Sequence, residues 1–187
     1  MNDIWAGKKI GAFGLRENIK LFWPAITNEE INDFIRELEA IEKAHPYPLL
    51  EGSKEAILRL RDAGITVALC TANSTRMLER RFAASGINPK WFKAISNRDS
   101  SGVAKPHPFA LQYILNIVGV PTKQVLFVGD WAPDLEAAKA SGGIPFIAVT
   151  SGSWGKKAFL KAGIPREKIF DNLSSFVDFF LKQKRRR

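Results

Sequence analysis

The chain has 187 residues, of which 45% are apolar and 25% are charged, and its formal net charge is +9 at pH 7. These values are typical of one globular domain with room for a small additional subdomain. No apolar run approaches the length of a membrane span, and the N-terminal sequence lacks the pattern of a secretory signal peptide. We therefore expect an intracellular, cytoplasmic protein. Cys70 is the only cysteine, which excludes an internal disulfide.

Residues 17–44 are predicted to be helical. Asn28 is placed to cap a helix, because acidic residues follow it in the first turn. Proline residues at 46 and 48 end the helical pattern. We interpret residues 1–47 as a small helical subdomain. The apolar face of its main helix has members at helical spacing: Ile31, Phe34, Ile35, Leu38 and Ile41.

From residue 52 onward, short apolar strands alternate with helices. This alternation predicts an α/β fold, with a Rossmann-like parallel sheet that has helices on both faces. We assign residues 48–181 to this core and residues 182–187 to a basic tail. Ser53 is expected to cap the first core helix, and Gly86 to end the second. The predicted strands are 65–70, 94–96, 125–128, 144–149 and 168–170, and the predicted helices after the first are 75–85, 108–118, 133–140, 154–162 and 173–181.

Ligands of parallel α/β sheets bind beyond the carboxyl ends of the strands, so the residues there are candidates for a site. Thr71 directly follows the predicted strand 65–70 and precedes Ala72, Asn73 and Ser74. A hydroxyl beside consecutive backbone N–H groups can bind an anion. The same residues also fit a simple helix N-cap, and both interpretations stay open at this point.

Lys105 lies on a short turn, residues 102–108, that precedes a predicted helix. A lysine held on a rigid turn suits a fixed positive charge against a phosphate group. A solvated loop lysine would have the same sequence context.

Asp130 directly follows an apolar strand, and Asp134 comes four positions later near the start of a helix. Two carboxylates at such a strand end suit a hard cation such as Mg²⁺, which prefers oxygen ligands. Alternatively, Asp134 only favours the helix N-terminus and Asp130 caps the helix.

Together, Thr71, Lys105 and the pair Asp130 and Asp134 resemble motifs two, three and four of the haloacid dehalogenase superfamily, in that order. The resemblance runs from about residue 48 to residue 181. The preceding helical block resembles the small cap of that family.

The turn Lys105-Pro106-His107-Pro108 resembles the phosphoglycolate-phosphatase-like branch, in which lysine-proline-x-proline is common. The resemblance implies a Mg²⁺-dependent phosphatase that acts on a small phosphate monoester. A small soluble phosphorylated substrate is the expected partner, and neither a membrane nor a nucleic acid is expected.

Carried over to this sequence, the resemblance gives each residue a role. Thr71 would bind the transferring phosphoryl group by its hydroxyl, with backbone N–H help from Ala72 and Asn73. Lys105 would neutralise the charge of phosphate and nucleophile. Asp130 would ligate Mg²⁺, and Asp134 would support the metal or its waters. The catalytic residues expected on this basis are Thr71, Lys105 and Asp130.

The first motif of the family, a strand that ends in Asp-x-Asp, does not occur among the eight aspartates of the sequence. Its first aspartate is the nucleophile, and its strand lies between those of motifs two and four. Three explanations are open: the natural chain begins upstream, residues 8–13 fill the gap, or the motif-two and motif-four strands pair directly in a pseudo-enzyme. We favour the first as an expectation.

Three functions therefore compete. The first is a phosphatase that is active in its full-length form. The second is a catalytically inactive relative that binds a phosphorylated ligand or a partner. The third is a protein that binds nucleic acid through the basic tail at 182–187, although a solvated terminus has the same composition.

Overall fold

The computed structural model describes residues 15–185. Its α-helices in chain order are α1 (Leu15–Phe22), α2 (Asn28–Ala44), α3 (Ser53–Asp62), α4 (Thr75–Ser85), α5 (Arg98–Ser101), α6 (Phe109–Val118), α7 (Ala132–Ala140), α8 (Lys156–Lys161) and α9 (Leu173–Lys184). Its strands are β1 (Leu69–Cys70), β2 (Ile95–Ser96), β3 (Phe127–Gly129), β4 (Phe146–Val149) and β5 (Ile169–Phe170). Short 3₁₀ helices lie at Pro89–Trp91, Thr122–Gln124 and Arg166–Lys168.

The strands form two parallel sheets, with the orders β1-β2 and β3-β4-β5. In the first, Leu69 pairs with Ile95. In the second, Val128 pairs with Ile147, and β5 joins the far side of β4. All pairs are parallel, as the alternation of strands and helices predicts.

Helices cover both faces of the larger sheet, and β4 shows this directly. Phe146 and Ala148 pack into one buried cluster, whereas Ile147 between them packs into another. Neighbouring side chains of a strand point to opposite faces, so the two clusters lie on opposite sides of the sheet. The first also contains Leu111, Leu135 and Phe159 from α6, α7 and α8, and the second contains Ala56, Phe176 and Val177 from α3 and α9. The predicted α/β fold class is confirmed.

The structure differs from the predicted single sheet, because within residues 15–185 no strand pairing joins β1 to β3. Direct pairing of these two strands, one of the three explanations for the missing motif, is therefore wrong for the described part of the chain. The second explanation, which uses residues 8–13, lies outside the described residues.

Two predicted helix caps are shifted by one residue. Thr27, not Asn28, caps α2: its hydroxyl accepts from the Glu30 N–H at 3.2 Å, and the Glu30 carboxylate accepts from the Thr27 N–H at 2.8 Å. This reciprocal capping box requires a glutamate three residues after the cap, which only Thr27 has in register. Gly52, with φ 72°, occupies the N-cap of α3, so Ser53 is already helical.

The strands are shorter than predicted, and the last helix is longer. Within residues 15–185, the predicted strand 65–70 has ladder pairing only at Leu69–Cys70, opposite the two residues of β2. Helix α9 continues to Lys184, where its ammonium group donates to the Ala63 carbonyl at 2.6 Å. The start of the predicted basic tail is thus helical, while the division into cap, core and tail stays a prediction. Across residues 15–185, every helix is too short or too polar to cross a membrane.

Helix α2 contacts the core through a cluster of ion pairs with α4. The Nε of Arg81 lies 2.9 Å from Glu42, and Arg80 lies 3.6 and 3.7 Å from Glu39 and Glu42. Arg76 reaches Glu39 at 3.3 Å. The Glu42 side chain is only 12% exposed, so its charge depends on these partners more than a surface charge would.

We predict that Glu42→Gln lowers the free energy of unfolding by about 1–2 kcal/mol, because Arg81 loses its carboxylate partner and Arg80 keeps only Glu39. The measurement is chemical denaturation of the wild type and the variant. Glu37→Gln is the matched control, since Glu37 is exposed on the same helix. Equal loss of stability in both variants would contradict the role of this cluster.

Candidate functional site

The loop after β1 combines a helix cap with a turn around a hydroxyl. The Ser74 hydroxyl accepts from the Met77 N–H at 3.3 Å and so caps α4. The Thr71 hydroxyl accepts from the Asn73 N–H at 3.2 Å. Thr71 is itself held by its N–H, which donates to the Ser96 carbonyl at 2.8 Å. The helix-cap interpretation is thus correct for Ser74. Because Ser74 provides the cap, the proton of the Thr71 hydroxyl stays available to a ligand.

Lys105 connects the ends of the two sheets. Its ammonium group donates to the Cys70 carbonyl at the end of β1, at 3.1 Å, and to the Asp134 carboxylate in the first turn of α7, at 2.5 Å. The side chains of Lys105 and Asp134 are 15% and 6% exposed. A buried ammonium group needs such partners, because removing a charge from water costs several kcal/mol.

Both oxygens of the Asp134 carboxylate are in use. One pairs with Lys105, and the other accepts from the N–H groups of Asp130 and Trp131, each at 3.0 Å. Gly129 makes this approach possible: a Cβ there would lie 2.5 Å from the Asp134 Cβ and 2.9 Å from its Oδ2. Asp134 therefore caps α7 and anchors Lys105, and its expected role at a metal stays a prediction.

Asp130 is positioned by the loop that follows β4. Its Oδ2 accepts from the Ser153 N–H at 2.8 Å, and its carbonyl accepts from the Trp154 N–H at 2.9 Å. A Cβ on Gly152 would lie 2.1 Å from that Oδ2, so only glycine fits beside the carboxylate. The other oxygen of Asp130 accepts none of the hydrogen bonds found within residues 15–185.

The segment after β2 also belongs to this site, and the sequence analysis missed it. Arg98 donates to the Ala72 carbonyl at 2.9 Å from its guanidinium group, and to the Asn73 carbonyl at 3.1 Å from its backbone N–H. The Asp99 carboxylate accepts from the Thr75 N–H at 2.7 Å, which lowers the pKa of Asp99. The signal that could have found them is their place directly after a strand.

Cys70, at the end of β1, is not a candidate nucleophile. Burial raises the pKa of the Cys70 thiol to about 11, although the nearby Lys105 acts in the opposite direction. The thiol is therefore neutral near pH 7, and only thiolates are strong nucleophiles.

The donor set fits Mg²⁺ only in part. Among residues 15–185, no group of three or more histidine, cysteine or acidic side chains is placed to hold a metal ion. Mg²⁺ in phosphate-transfer sites is commonly bound by one or two carboxylates, with waters and phosphate oxygens as the other ligands. The free oxygen of Asp130 can be one such ligand, so the described residues supply part of a Mg²⁺ site.

The structure brings the sequence-predicted residues to one end of the strands. Thr71 follows the Cys70 carbonyl that Lys105 binds, and Lys105 binds Asp134, which in turn binds the backbone of Asp130. The roles expected for them, and for Ala72 and Asn73, stay predictions. The Asn73 N–H, expected to face phosphate, donates to Thr71 instead.

A Rossmann-like core with these groups at the strand ends defines an α/β protein of the class whose ligand sites lie beyond the carboxyl ends of the strands. The family model described as haloacid dehalogenase-like hydrolase matches residues 2–142. The chain therefore belongs to the haloacid dehalogenase-like hydrolases, and the resemblance to motifs two to four is confirmed at the level of the family.

Curated relatives are phosphatases. A phosphoglycolate phosphatase of Mesorhizobium japonicum is 38% identical over 59% of this chain and 46% of the relative, so the match spans about half the relative's length. A D-glycero-beta-D-manno-heptose-1,7-bisphosphate 7-phosphatase of Neisseria meningitidis is 28% identical over 84% of this chain and 91% of the relative.

Solved structures share the fold. A protein described as a predicted phosphoglycolate phosphatase from Haemophilus somnus superposes with a TM-score of 0.71 at 23% identity, over 91% of this chain and 79% of that chain. A D,D-heptose 1,7-bisphosphate phosphatase from B. bronchiseptica, complexed with magnesium and phosphate, superposes with a TM-score of 0.56 at 26% identity, over 72% of this chain and 84% of that chain.

We predict that Gly129→Ala lowers the free energy of unfolding by roughly 2–4 kcal/mol, because the new Cβ displaces Asp134 and leaves the Lys105 charge without its partner. Thermal or chemical unfolding measures the change. Gly155→Ala is the control, since a Cβ at Gly155 meets no atom within 4 Å. If Gly129→Ala were as stable as this control, the close contact with Asp134 would not matter for stability.

Proposed function

We propose that this chain binds a phosphate monoester together with Mg²⁺, as part of a phosphatase of the haloacid dehalogenase superfamily. The observation that carries the proposal is the hydrogen-bonded connection from the Thr71 loop through Lys105 to the Asp130 segment. It gathers a hydroxyl donor, a cation and a carboxylate at one end of the strands. Phosphoryl transfer depends mainly on such positioning and on charge stabilisation.

The Thr71 hydroxyl would donate to a phosphate oxygen. Its oxygen already accepts from the Asn73 N–H, so its proton is free to point toward a ligand. The Ala72 N–H, which makes none of the hydrogen bonds found in residues 15–185, would add a second donor. The Lys105 ammonium group would offset the negative charge, since its bonds to Cys70 and Asp134 fix it at the strand ends.

Asp130 would hold Mg²⁺ by its free carboxylate oxygen, and phosphate and waters would complete the ligand set. Mg²⁺, when bound, neutralises charge on the phosphoryl oxygens. Ser153 fixes the orientation of the Asp130 carboxylate through its N–H. Asp134 would act through Lys105 and through the backbone of Asp130.

The remaining requirement is a nucleophilic aspartate, because the sequence has no Asp-x-Asp. In the active protein that we propose, this aspartate lies on a strand between β1 and β3, which do not pair within residues 15–185. The same absence favours the second candidate, a relative that binds a phosphorylated ligand without hydrolysing it.

We propose a small phosphate ester as the substrate. The similar proteins of Mesorhizobium and Neisseria are named for phosphoglycolate and for a heptose bisphosphate, which share a small anionic phosphate ester. A net charge of +9 would favour the approach of such anions.

The first test measures inorganic phosphate binding and p-nitrophenyl phosphate hydrolysis by the chain as given. We expect Mg²⁺ to promote phosphate binding, a chelator to reverse this, and Asp130→Asn to weaken the Mg²⁺-dependent binding by roughly tenfold or more. Hydrolysis should stay at background until a fused apolar strand that ends in Asp-x-Asp is added.

Each other outcome has a definite meaning. Absence of phosphate binding in the presence of Mg²⁺ would overturn the proposed site. Hydrolysis without the added strand, lost in Asp130→Asn, would show that another carboxylate serves as the nucleophile. Binding without hydrolysis, even with the added strand, would favour the non-catalytic candidate.

We also predict that Gly152→Ala abolishes Mg²⁺-dependent phosphate binding with little loss of stability. Its Cβ would occupy the position of the Asp130 carboxylate, at 2.1 Å from Oδ2, while Gly152 itself is exposed. Gly155→Ala, three residues away and free of such contacts, is the control and should bind phosphate normally. Normal binding by Gly152→Ala would mean that Asp130 does not need its present orientation.

A further inference from the structure

We infer that Arg98 is the positioning residue of the Thr71 loop: it fixes the peptide groups that make the Thr71 hydroxyl a phosphate donor. This inference rests on the proposed function and extends it to a residue outside the three motifs. Arg98 contacts two successive carbonyls of the loop, those of Ala72 and Asn73.

The geometry of a trans peptide gives these contacts their effect. The carbonyl of one residue and the N–H of the next lie in one plane and point in opposite directions. When the Arg98 guanidinium group holds the Ala72 carbonyl, the Asn73 N–H must point away from Arg98. It then meets the Thr71 hydroxyl oxygen at 3.2 Å.

This N–H sets the direction of the hydroxyl proton. A threonine hydroxyl has one proton and two lone pairs, and the Asn73 N–H takes up one of the lone pairs. The proton is then free to serve an anion, whereas a hydroxyl without this donor could turn toward a nearby carbonyl. Arg98 therefore acts on the Thr71 hydroxyl through one peptide group.

The backbone of Arg98 acts similarly on the next peptide. Its N–H holds the Asn73 carbonyl at 3.1 Å, so the Ser74 N–H points away from Arg98. The neighbours of Arg98 support the same loop, since the Asn97 side chain donates to the Thr75 hydroxyl at 3.0 Å and Asp99 accepts from the Thr75 N–H. The segment 97–99 thus forms hydrogen bonds to three residues of the loop, Ala72, Asn73 and Thr75.

The Arg98 side chain is partly enclosed by the protein. It is half-buried, and its Nε is buried without an acceptor within residues 15–185. A buried donor without an acceptor costs free energy, so the hydrogen bond to the Ala72 carbonyl is the contact that holds the guanidinium group at the loop.

The test compares Arg98→Met with Arg166→Met, which removes the same charge from an exposed position in the 3₁₀ helix at Arg166–Lys168. Two quantities are measured on the chain as given: the affinity for inorganic phosphate in the presence of Mg²⁺, and hydrogen exchange of the Asn73 amide by NMR. We expect Arg98→Met to weaken phosphate binding roughly tenfold and to accelerate Asn73 exchange. Arg166→Met should change neither.

Arg98→Lys keeps the charge and one donor to the Ala72 carbonyl, so it should restore part of the Asn73 protection and part of the affinity. This variant also serves if Arg98→Met fails to fold, which its melting temperature will show. In that case, Arg98→Lys must still weaken phosphate binding and accelerate exchange of the Asn73 amide relative to the wild type.

Two results would overturn the inference. One is unchanged Asn73 exchange with unchanged phosphate affinity. The other is weaker phosphate binding with unchanged Asn73 exchange, which would mean that Arg98 acts only by its charge. If the wild type binds no phosphate, the proposed function fails, and Asn73 exchange alone still decides whether Arg98 positions the loop.

Discussion

The ammonium group of Lys105 is the contact on which the site depends. The two sheets share no backbone pairing within residues 15–185, yet Lys105 donates to the last carbonyl of β1 and to the first turn of α7 after β3. A half-buried cation is tolerated only with such partners. Any movement of β1 away from β3 must therefore break a charged hydrogen bond, which ties the site's geometry to the relative position of the sheets.

The acidic residues are fixed by backbone groups more than by other side chains. Asp134 accepts from two N–H groups at the start of α7, and Asp130 accepts from the Ser153 N–H. Backbone donors cannot change rotamer, so they hold carboxylates more rigidly than surface side chains do. Glycine at 129 and 152 makes this arrangement possible, because a Cβ at either position would clash with the neighbouring carboxylate.

The sequence predicts much of the fold, because strands and helices of this type carry strong periodic signals. Alternation and glycine terminators locate the helices from α3 onward to within a few residues, except for the short α5, which was not predicted. The strand limits are less predictable, since apolar character runs past the residues that find a pairing partner, as at 65–70. Likewise, Asn28 is by type the better N-cap, and the register of Glu30 decides in favour of Thr27.

The candidate site was predictable where a residue type has a strong chemical meaning and follows a strand. Thr71 and Asp130 meet both conditions, whereas Lys105 was found by its charge on a turn that precedes a helix. Arg98 follows a strand too, but an arginine in a polar loop is ordinary by composition, and its contacts to Ala72 and Asn73 depend on β1 and β2 being neighbours. The role of Arg98 depends on tertiary contacts, and no local sequence pattern indicates it.

The Thr71 loop is held by two sets of contacts, one from the segment after β2 and one, through α4, from α2. Arg98 and Asp99 bind the loop from the end of β2, while α4, which begins right after the loop, is bound along its length to Glu39 and Glu42 of α2. A displacement of α2 would pull on α4, whose first turn is capped by Ser74 in the loop itself. Arg98 holds the Ala72 and Asn73 carbonyls through contacts that do not involve α2, so it resists that displacement. The orientation of the proposed phosphate donors therefore depends on the segment after β2 as well as on α4.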